Sequence, residues 1–120
     1  MADLPRPGAP VRGSATGRPI MALFDLASRR WTLRVLWELS QAGESVTFRE
    51  LRARCADMSS SVLTKRVAEL RQAHLVTRHR DGYGLSELGL GLIASMQPLL
   101  AWSQVWAMEL DAAADERGQA

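Results

Sequence analysis

The sequence has 120 residues, of which 47% are hydrophobic and 23% are charged, and its formal net charge is +2. A chain of this length and composition fits one globular domain, and it contains no apolar run that approaches the roughly 18 residues of a membrane span. The N-terminus does not resemble a secretory signal, so we expect a soluble protein of the cytoplasm. The single cysteine, Cys55, excludes an internal disulfide and a cysteine-based zinc site.

The basic residues are concentrated in the middle of the chain. Residues 46–86 carry eight Arg or Lys against four acids, whereas residues 87–120 carry one Arg against five acids. A surface that faces DNA needs such a local excess of positive charge. Fourteen of the fifteen basic residues are Arg, which suits contacts to phosphate or guanine, although a GC-rich coding sequence would explain that preference equally well.

The first 19 residues predict a flexible or loosely docked N-terminal arm. They contain four of the five prolines and three glycines, and they show no apolar periodicity. Arg6, Arg12 and Arg18 could contact DNA phosphates or enter a minor groove. A solvated tail without a role is the simpler interpretation of the same residues.

Two helices are predicted next. Residues 20–26 form a short apolar run, and Ser28 is a candidate cap for a second helix over residues 29–41, which Gly43 ends. The second helix carries two apolar stripes, so we expect the core to cover one side and a terminal helix or a second subunit to cover the other. The stripes consist of Trp31, Val35 and Leu39, and of Leu33 and Trp37.

The following segment has the pattern of a helix-turn-helix. Residues 45–47 allow no more than a stub of strand, and Thr47 is a candidate N-cap for a helix over residues 48–55. A three-residue connection leads to Ser59, the candidate N-cap of a second helix that runs to about residue 74. The predicted packing points between these elements are Leu51, Met58 and Leu63.

The second of these helices has two different faces. At about 100° per residue, Leu63, Val67 and Leu70 fall on one narrow arc. One face therefore suits a core and the rest of the helix suits a polar partner, as expected of a DNA recognition helix. The polar residues outside the arc are Ser60, Ser61, Thr64, Lys65, Arg71 and Gln72.

A basic β-hairpin is predicted directly after the recognition helix. Residues 75–80 are rich in β-branched and long polar residues, Asp81 and Gly82 form a strong turn signal, and residues 83–86 form the returning strand. A helix-turn-helix followed by such a hairpin is a winged helix. Its predicted tip consists of Arg78, His79, Arg80 and Asp81.

The C-terminal part is predicted to be helical from Ser86 to about Leu110, with Pro98 kinking or dividing the helix. The small and acidic residues after Leu110 are expected to fray. The predicted organisation is thus an arm over residues 1–19, a winged helix-turn-helix domain with terminal helices over residues 20–110, and an acidic tail over residues 111–120.

The chain resembles the HxlR-type winged helix-turn-helix transcriptional regulators, relatives of the MarR group, from about residue 21 to residue 108. The matching segments are RWTLRVLWEL at 30–39, FRELR at 48–52, MSSSVLTKRVAEL at 58–70, HLVTR at 74–78, YGLSELG at 83–89, and Trp102. The resemblance implies a mainly α fold with a small β-hairpin wing. It also implies a homodimer, held by the N- and C-terminal helices, that binds a near-palindromic operator on double-stranded DNA.

Three departures from the family pattern bear on function. Many members carry a cysteine just before the first helix, whereas residues 20–23 here contain none, so thiol sensing through that position is excluded. The wing is shorter than usual, which predicts fewer wing contacts. His74 replaces the glycine common at the end of the recognition helix, and it must adopt a C-terminal conformation that suits glycine better.

The resemblance also indicates which side chains contact DNA. Ser60, Ser61, Thr64 and Lys65 would face the major groove, and Ser59 with the helix N-terminus would meet a phosphate. A solvated helix face is the alternative for each of them. Arg66 and Arg71 lie toward the margins of that face and are better placed for the DNA backbone than for bases. The wing adds two predicted contacts, Arg78 and Arg80.

An aromatic or apolar effector pocket at the dimer interface is a further hypothesis, although core and dimer packing explains the same residues more simply. The candidate pocket residues are Met21, Phe24, Trp31, Trp37, Met96, Trp102 and Trp106.

Neither histidine has metal-ligand spacing, and capping explains the serines near residue 60, so we expect no metal, no cofactor and no enzymatic activity.

The sequence therefore predicts a homodimeric DNA-binding transcriptional regulator, with repression as the favoured mode and a small-molecule effector as an additional hypothesis. The alternative is a winged-helix module that contacts proteins and has lost sequence-specific DNA binding. The shortened wing is the feature that supports this alternative.

Overall fold

The computed structural model describes residues 4–119, which form six helices and one two-stranded antiparallel hairpin. This confirms the predicted fold class, mainly α with a small β-hairpin. The chain divides into two compact units, one up to Leu90 and one from Gly91 onward, while the predicted boundaries near residues 19 and 110 stay a prediction. The elements are α1 (Pro19–Ala27), α2 (Thr32–Ala42), α3 (Phe48–Arg54), α4 (Ser60–Gln72), β1 (Val76–His79), β2 (Gly82–Leu85), α5 (Glu87–Ser95) and α6 (Gln97–Gln119).

The core of the first unit is built around α2, which contacts α1, α3, α4 and β2. The three predicted packing points of the helix-turn-helix, Leu51, Met58 and Leu63, are all buried. The apolar arc of α4 is buried as well, which fixes the opposite side of this helix toward solvent. The largest fully buried side chains are Leu36, Leu51, Leu63, Leu70, Val35, Thr32 and Cys55.

The second helix begins later than the sequence predicts, so the assignment of Ser28 as its cap is wrong. Trp31, in the left-handed conformation with φ 77°, is the N-cap of α2. Ser28 instead closes α1, where its Oγ donates to the carbonyl of Asp25. The intervening residues are held by α4, because the Arg30 carbonyl accepts a hydrogen bond from Arg66 Nε at 2.8 Å.

The predicted caps of the helix-turn-helix are confirmed. Thr47 Oγ1 accepts from Glu50 N, and the Glu50 carboxylate in turn accepts from Thr47 N, which forms a capping box at the start of α3. Ser59 Oγ accepts from Val62 N at 3.2 Å and caps α4. Gly43, with φ 72°, ends α2 as predicted.

The turn of the hairpin lies one residue earlier than predicted. His79 pairs with Gly82, so Arg80 and Asp81 form the turn and Gly82 begins β2. Gly82 instead allows the backbone of Val46 to lie close to β2, because a Cβ at residue 82 would be 2.0 Å from the Val46 carbonyl oxygen. Its φ of 145° is also a conformation that favours glycine. Val46 pairs with Tyr83 through two backbone hydrogen bonds and adds a stub of a third strand beside β2, as residues 45–47 predict.

The end of α4 confirms that His74 occupies a position suited to glycine. Its φ is 63°, its N–H donates to the Arg71 carbonyl, and Leu75 N–H donates to the Leu70 carbonyl, both at 3.0 Å. These two bonds define a Schellman motif, in which the left-handed residue is usually glycine. Because His74 has a Cβ and glycine does not, this conformation adds backbone strain at the junction between α4 and the hairpin.

Replacing His74 with glycine is expected to raise the free energy of unfolding by about 1 kcal/mol, because glycine adopts the left-handed conformation without a clash at Cβ. Urea denaturation of the purified protein measures this change. Gln72→Gly is the matched control, and since Gln72 is helical we expect the opposite sign there, about 1 kcal/mol of destabilisation. A loss of stability in His74→Gly would contradict the assignment of strain.

The N-terminal arm is folded into hydrogen-bonded turns where the structure describes it. Gly8 N donates to Gly17 O at 2.8 Å, and Val11 and Ser14 exchange a pair of backbone hydrogen bonds. Ser14 Oγ accepts from Gly17 N, which tightens the return of the chain toward α1. The described part of the arm is thus folded by hydrogen bonds among its own residues, and its flexibility stays a prediction.

The second unit consists of the end of α5 and the whole of α6. The helical region is divided at Met96, and Pro98 is the second residue of α6, which confirms that the proline separates two helices. The helix continues to Gln119, so its predicted end near Leu110 is wrong. Alanine, glutamate and arginine after Leu110 are good helix formers, which explains the extension. Among the described residues, no helix is long and apolar enough to cross a membrane.

Candidate nucleic-acid interface

The N-terminal half of α4 presents an open polar surface. Ser59, Ser60, Ser61, Thr64 and Lys65 are all exposed. Thr64 Oγ1 donates to the Ser60 carbonyl at 2.8 Å, which leaves the lone pairs of this hydroxyl as acceptors. The structure therefore brings the predicted groove-facing residues together on one helix face.

A buried carboxylate of α4 binds two arginines on the side of the helix away from the exposed polar surface. Both carboxylate oxygens of Glu69 are bound by guanidinium groups, one by Arg29 and the other by Arg66. The Glu69 side chain is 3% exposed, compared with 18% for Arg29 and 15% for Arg66. We call these three residues the Glu69 clamp. It joins the recognition helix to the turn between α1 and α2.

One residue predicted to contact DNA, Arg66, belongs to the clamp. Arg66 is mostly buried, and its guanidinium binds Glu69 and the Arg30 carbonyl, whereas Arg71 is exposed. The clamp was not predicted from the sequence. Arg66 and Glu69 are three residues apart, a spacing that places oppositely charged side chains next to each other on one helix face and could have indicated this ion pair. The partner Arg29 gave no such signal, because it lies 40 residues away from Glu69.

The hairpin places basic side chains on the next element after α4. Arg78 and Tyr83 are cross-strand partners, and the Arg78 guanidinium lies 5.4 Å from the Tyr83 ring centre while Nη1 donates to Tyr83 Oη at 3.1 Å. His79 Nε2 lies 2.9 Å from Thr77 Oγ1. Arg80 is exposed at the turn. The hairpin thus holds Arg78 in place and leaves Arg80 at its tip.

The candidate effector residues are distributed over both units. Met21, Phe24, Trp31 and Trp37 belong to the first unit and the others to the second. The rings of Trp102 and Trp106 are stacked, with centroids 5.8 Å apart. A cavity of about 310 Å³ does lie against α1, but it is lined by neighbours such as Ala22, Leu23 and Leu26, together with Leu4 and Leu75. The predicted aromatic pocket stays a prediction.

The only thiol of the chain is poorly suited to chemistry. Cys55 is fully buried at the end of α3. Burial raises its pKa, and the nearby Glu38 carboxylate raises the pKa further, while Arg34 acts in the opposite direction. Cys55 is therefore a packing residue. Among the described residues, no group of three His, Cys, Asp or Glu side chains could hold a metal ion.

A helix-turn-helix whose second helix exposes a polar face, followed by a basic hairpin, defines a winged helix-turn-helix DNA-binding protein. A family model described as HxlR-like helix-turn-helix matches residues 26–111. The chain therefore belongs to the HxlR family, whose members are transcriptional regulators and not enzymes. No curated protein matches the chain in sequence.

Solved structures agree with this assignment. Quinone-bound YodB from B. subtilis has a TM-score of 0.67 and 28% identity, over 72% of this chain and 96% of YodB. The reduced form of the same regulator has a TM-score of 0.59 and 26% identity, over 74% and 89%. A protein from Thermoplasma volcanium GSS1, described as a possible HxlR family transcriptional factor, has a TM-score of 0.65 and 25% identity, over 74% and 84%.

Proposed function

We propose that the chain is a homodimeric transcriptional repressor of the cytoplasm that recognises a near-palindromic operator through α4 and the hairpin. The observation that carries this proposal is the exposed polar face of α4, a helix that the Glu69 clamp joins to the turn between α1 and α2. Phosphate contacts from the basic residues would supply much of the affinity, and contacts from the α4 face to base edges would supply the sequence preference.

The terminal helices support the homodimer. Phe24 on α1 is 56% exposed, and on α6 Trp102, Trp106 and Met108 are 57%, 52% and 63% exposed. Large apolar side chains exposed along a helix mark an interaction surface. A second copy of the chain is the occupant we propose, because two-fold symmetry presents two recognition helices to two half-sites about one DNA turn apart.

A small-molecule effector is compatible with the family. YodB has been solved with a quinone bound, and we propose that an apolar or aromatic compound modulates operator binding here. Because Cys55 is buried and its pKa is raised, such a ligand would bind without forming a bond to a cysteine. It would act by favouring one spacing of the two recognition helices, which requires a different affinity in the two states.

Replacing Thr64 and Lys65 together with alanine is expected to lower operator affinity at least tenfold, because the double variant loses the base contact of Thr64, worth roughly 1–3 kcal/mol, and one cation of the α4 face. A mobility-shift titration with DNA flanking the gene, against a scrambled duplex of equal length, measures affinity and sequence preference. Gln41→Ala is the control, because Gln41 is an exposed polar residue of another helix. Undiminished regulation by the double variant would favour a protein-interaction module instead.

A further inference from the structure

The N-terminal arm brings one arginine next to the recognition helix. The backbone N–H of Arg12 donates to Asp25 Oδ2 of α1 at 3.1 Å, within the tight turn that Val11 and Ser14 form by exchanging backbone hydrogen bonds. Arg12 is therefore placed by backbone geometry, and its exposed side chain is presented at a fixed point on the surface. Arg18, by contrast, lies after the turn at the start of α1.

A polar concavity of about 320 Å³ lies where the arm meets α4. Its lining consists of Arg12, Asp25, Ser28, Arg29, Lys65 and Arg66. Four of these six side chains are cationic and one is anionic, so the concavity carries a net positive charge. Among the residues that the structure describes, Arg12 and Lys65 make no ion pair, whereas Arg29 and Arg66 bind Glu69.

We propose that this concavity binds a phosphate of the DNA backbone, with Arg12 and Lys65 as its two principal cations. The proposal rests on the proposed function, because Lys65 belongs to the face of α4 that we assign to DNA. A phosphodiester placed there would lie beside the groove that α4 enters, and Arg12 would extend the contact beyond the helix-turn-helix. The arm is then part of the DNA interface.

The opposite charges of Arg12 and Asp25 predict opposite effects on DNA affinity, which a purely structural role of the two residues would not produce. Arg12 contributes attraction to a phosphate, and the Asp25 carboxylate contributes repulsion while it holds the Arg12 backbone. Asp25→Asn keeps an oxygen that can accept the Arg12 N–H and removes the negative charge. Substitutions at these two contacting residues should therefore change DNA affinity in opposite directions.

The test is a fluorescence-anisotropy titration of the full chain with two labelled duplexes, one from the DNA flanking the gene and one scrambled, at several salt concentrations. We expect Arg12→Ala to weaken both duplexes by the same factor, about fivefold, and to reduce the salt slope by about 0.9 per bound subunit. Asp25→Asn should tighten both by about twofold, and Arg18→Ala, outside the concavity, should change neither. Urea midpoints of all variants check that the fold is intact.

Equal affinities of Arg12→Ala and Arg18→Ala at intact stability would overturn the proposal, as would weaker binding by Asp25→Asn. Inorganic phosphate distinguishes a free anion from DNA. If phosphate stabilises the protein against heat in an Arg12-dependent way while Arg12→Ala leaves DNA affinity unchanged, the site holds a free anion and the proposal is wrong. If the unsubstituted protein shows no preference between duplexes, the proposed operator recognition fails, and the scrambled duplex still decides the role of Arg12.

Discussion

Replacing Glu69 with alanine is expected to lower the free energy of unfolding by about 3 kcal/mol. The substitution removes the carboxylate that the mostly buried guanidinium of Arg66 binds, and which Arg29 binds as well. Removing one partner of a buried ion pair is strongly destabilising, since the remaining charge loses its compensation in a poorly solvated place. Urea denaturation followed by circular dichroism measures the change.

Two further variants separate the clamp from general effects of removing a glutamate. Glu50→Ala breaks an exposed capping box, and we expect it to lower stability by about 1 kcal/mol. Glu69→Gln keeps the size of the side chain and removes the charge, and we expect a loss close to that of Glu69→Ala. A loss at Glu69 no larger than that at Glu50 would show that the clamp does not hold α4.

Replacing Trp106 with aspartate is expected to convert the proposed homodimer to a monomer of 13.2 kDa and to lower affinity for the proposed operator by a factor of about 100 or more. The charge would enter the apolar surface of α6 at a residue that is 52% exposed in the single chain. A monomer loses the gain from two linked half-sites, which reaches about 10²–10⁴ in affinity. Light scattering after size-exclusion chromatography measures the mass.

Gln41→Asp is the control for this substitution. Gln41 is an exposed polar residue of α2, and it lies outside both apolar stripes of that helix and outside the two helices assigned to the proposed dimer. We expect this variant to keep the mass of the unsubstituted protein. If Trp106→Asp keeps that mass as well, the dimer surface proposed for α6 is wrong, whatever the result with DNA.

The elements that the sequence predicted correctly depend on local signals. Thr47 and Ser59 start their helices because each side chain caps N–H groups three residues away, and a pattern of that length is visible in the sequence. His74 was identified through the family resemblance, as the residue that replaces the glycine common at the end of the recognition helix, and its φ of 63° agrees with that position. The exposed face of α4 was predictable for the same reason.

The features that were missed depend on contacts between distant parts of the chain. The start of α2 was predicted too early, and it lies beside a contact with a distant residue, the hydrogen bond of the Arg30 carbonyl with Arg66, 36 residues later. Gly82 was assigned to the turn because a glycine after aspartate is a strong local turn signal, but the close approach of the Val46 carbonyl decided its position. No periodicity in the sequence reports such an approach, so only the folded chain shows it.

The strand stub at Val46 has a consequence for the opposite side of the hairpin. Val46 pairs with β2, so β2 is central and, within the described residues, β1 is the edge strand of the small sheet. Edge strands invite pairing with other chains, and charged side chains discourage it. Arg78 and His79 lie on β1 and are exposed. Replacing them with β-branched apolar residues would create an aggregation-prone edge, so protection against misassembly constrains His79 and also Arg78, one of the residues predicted to contact DNA.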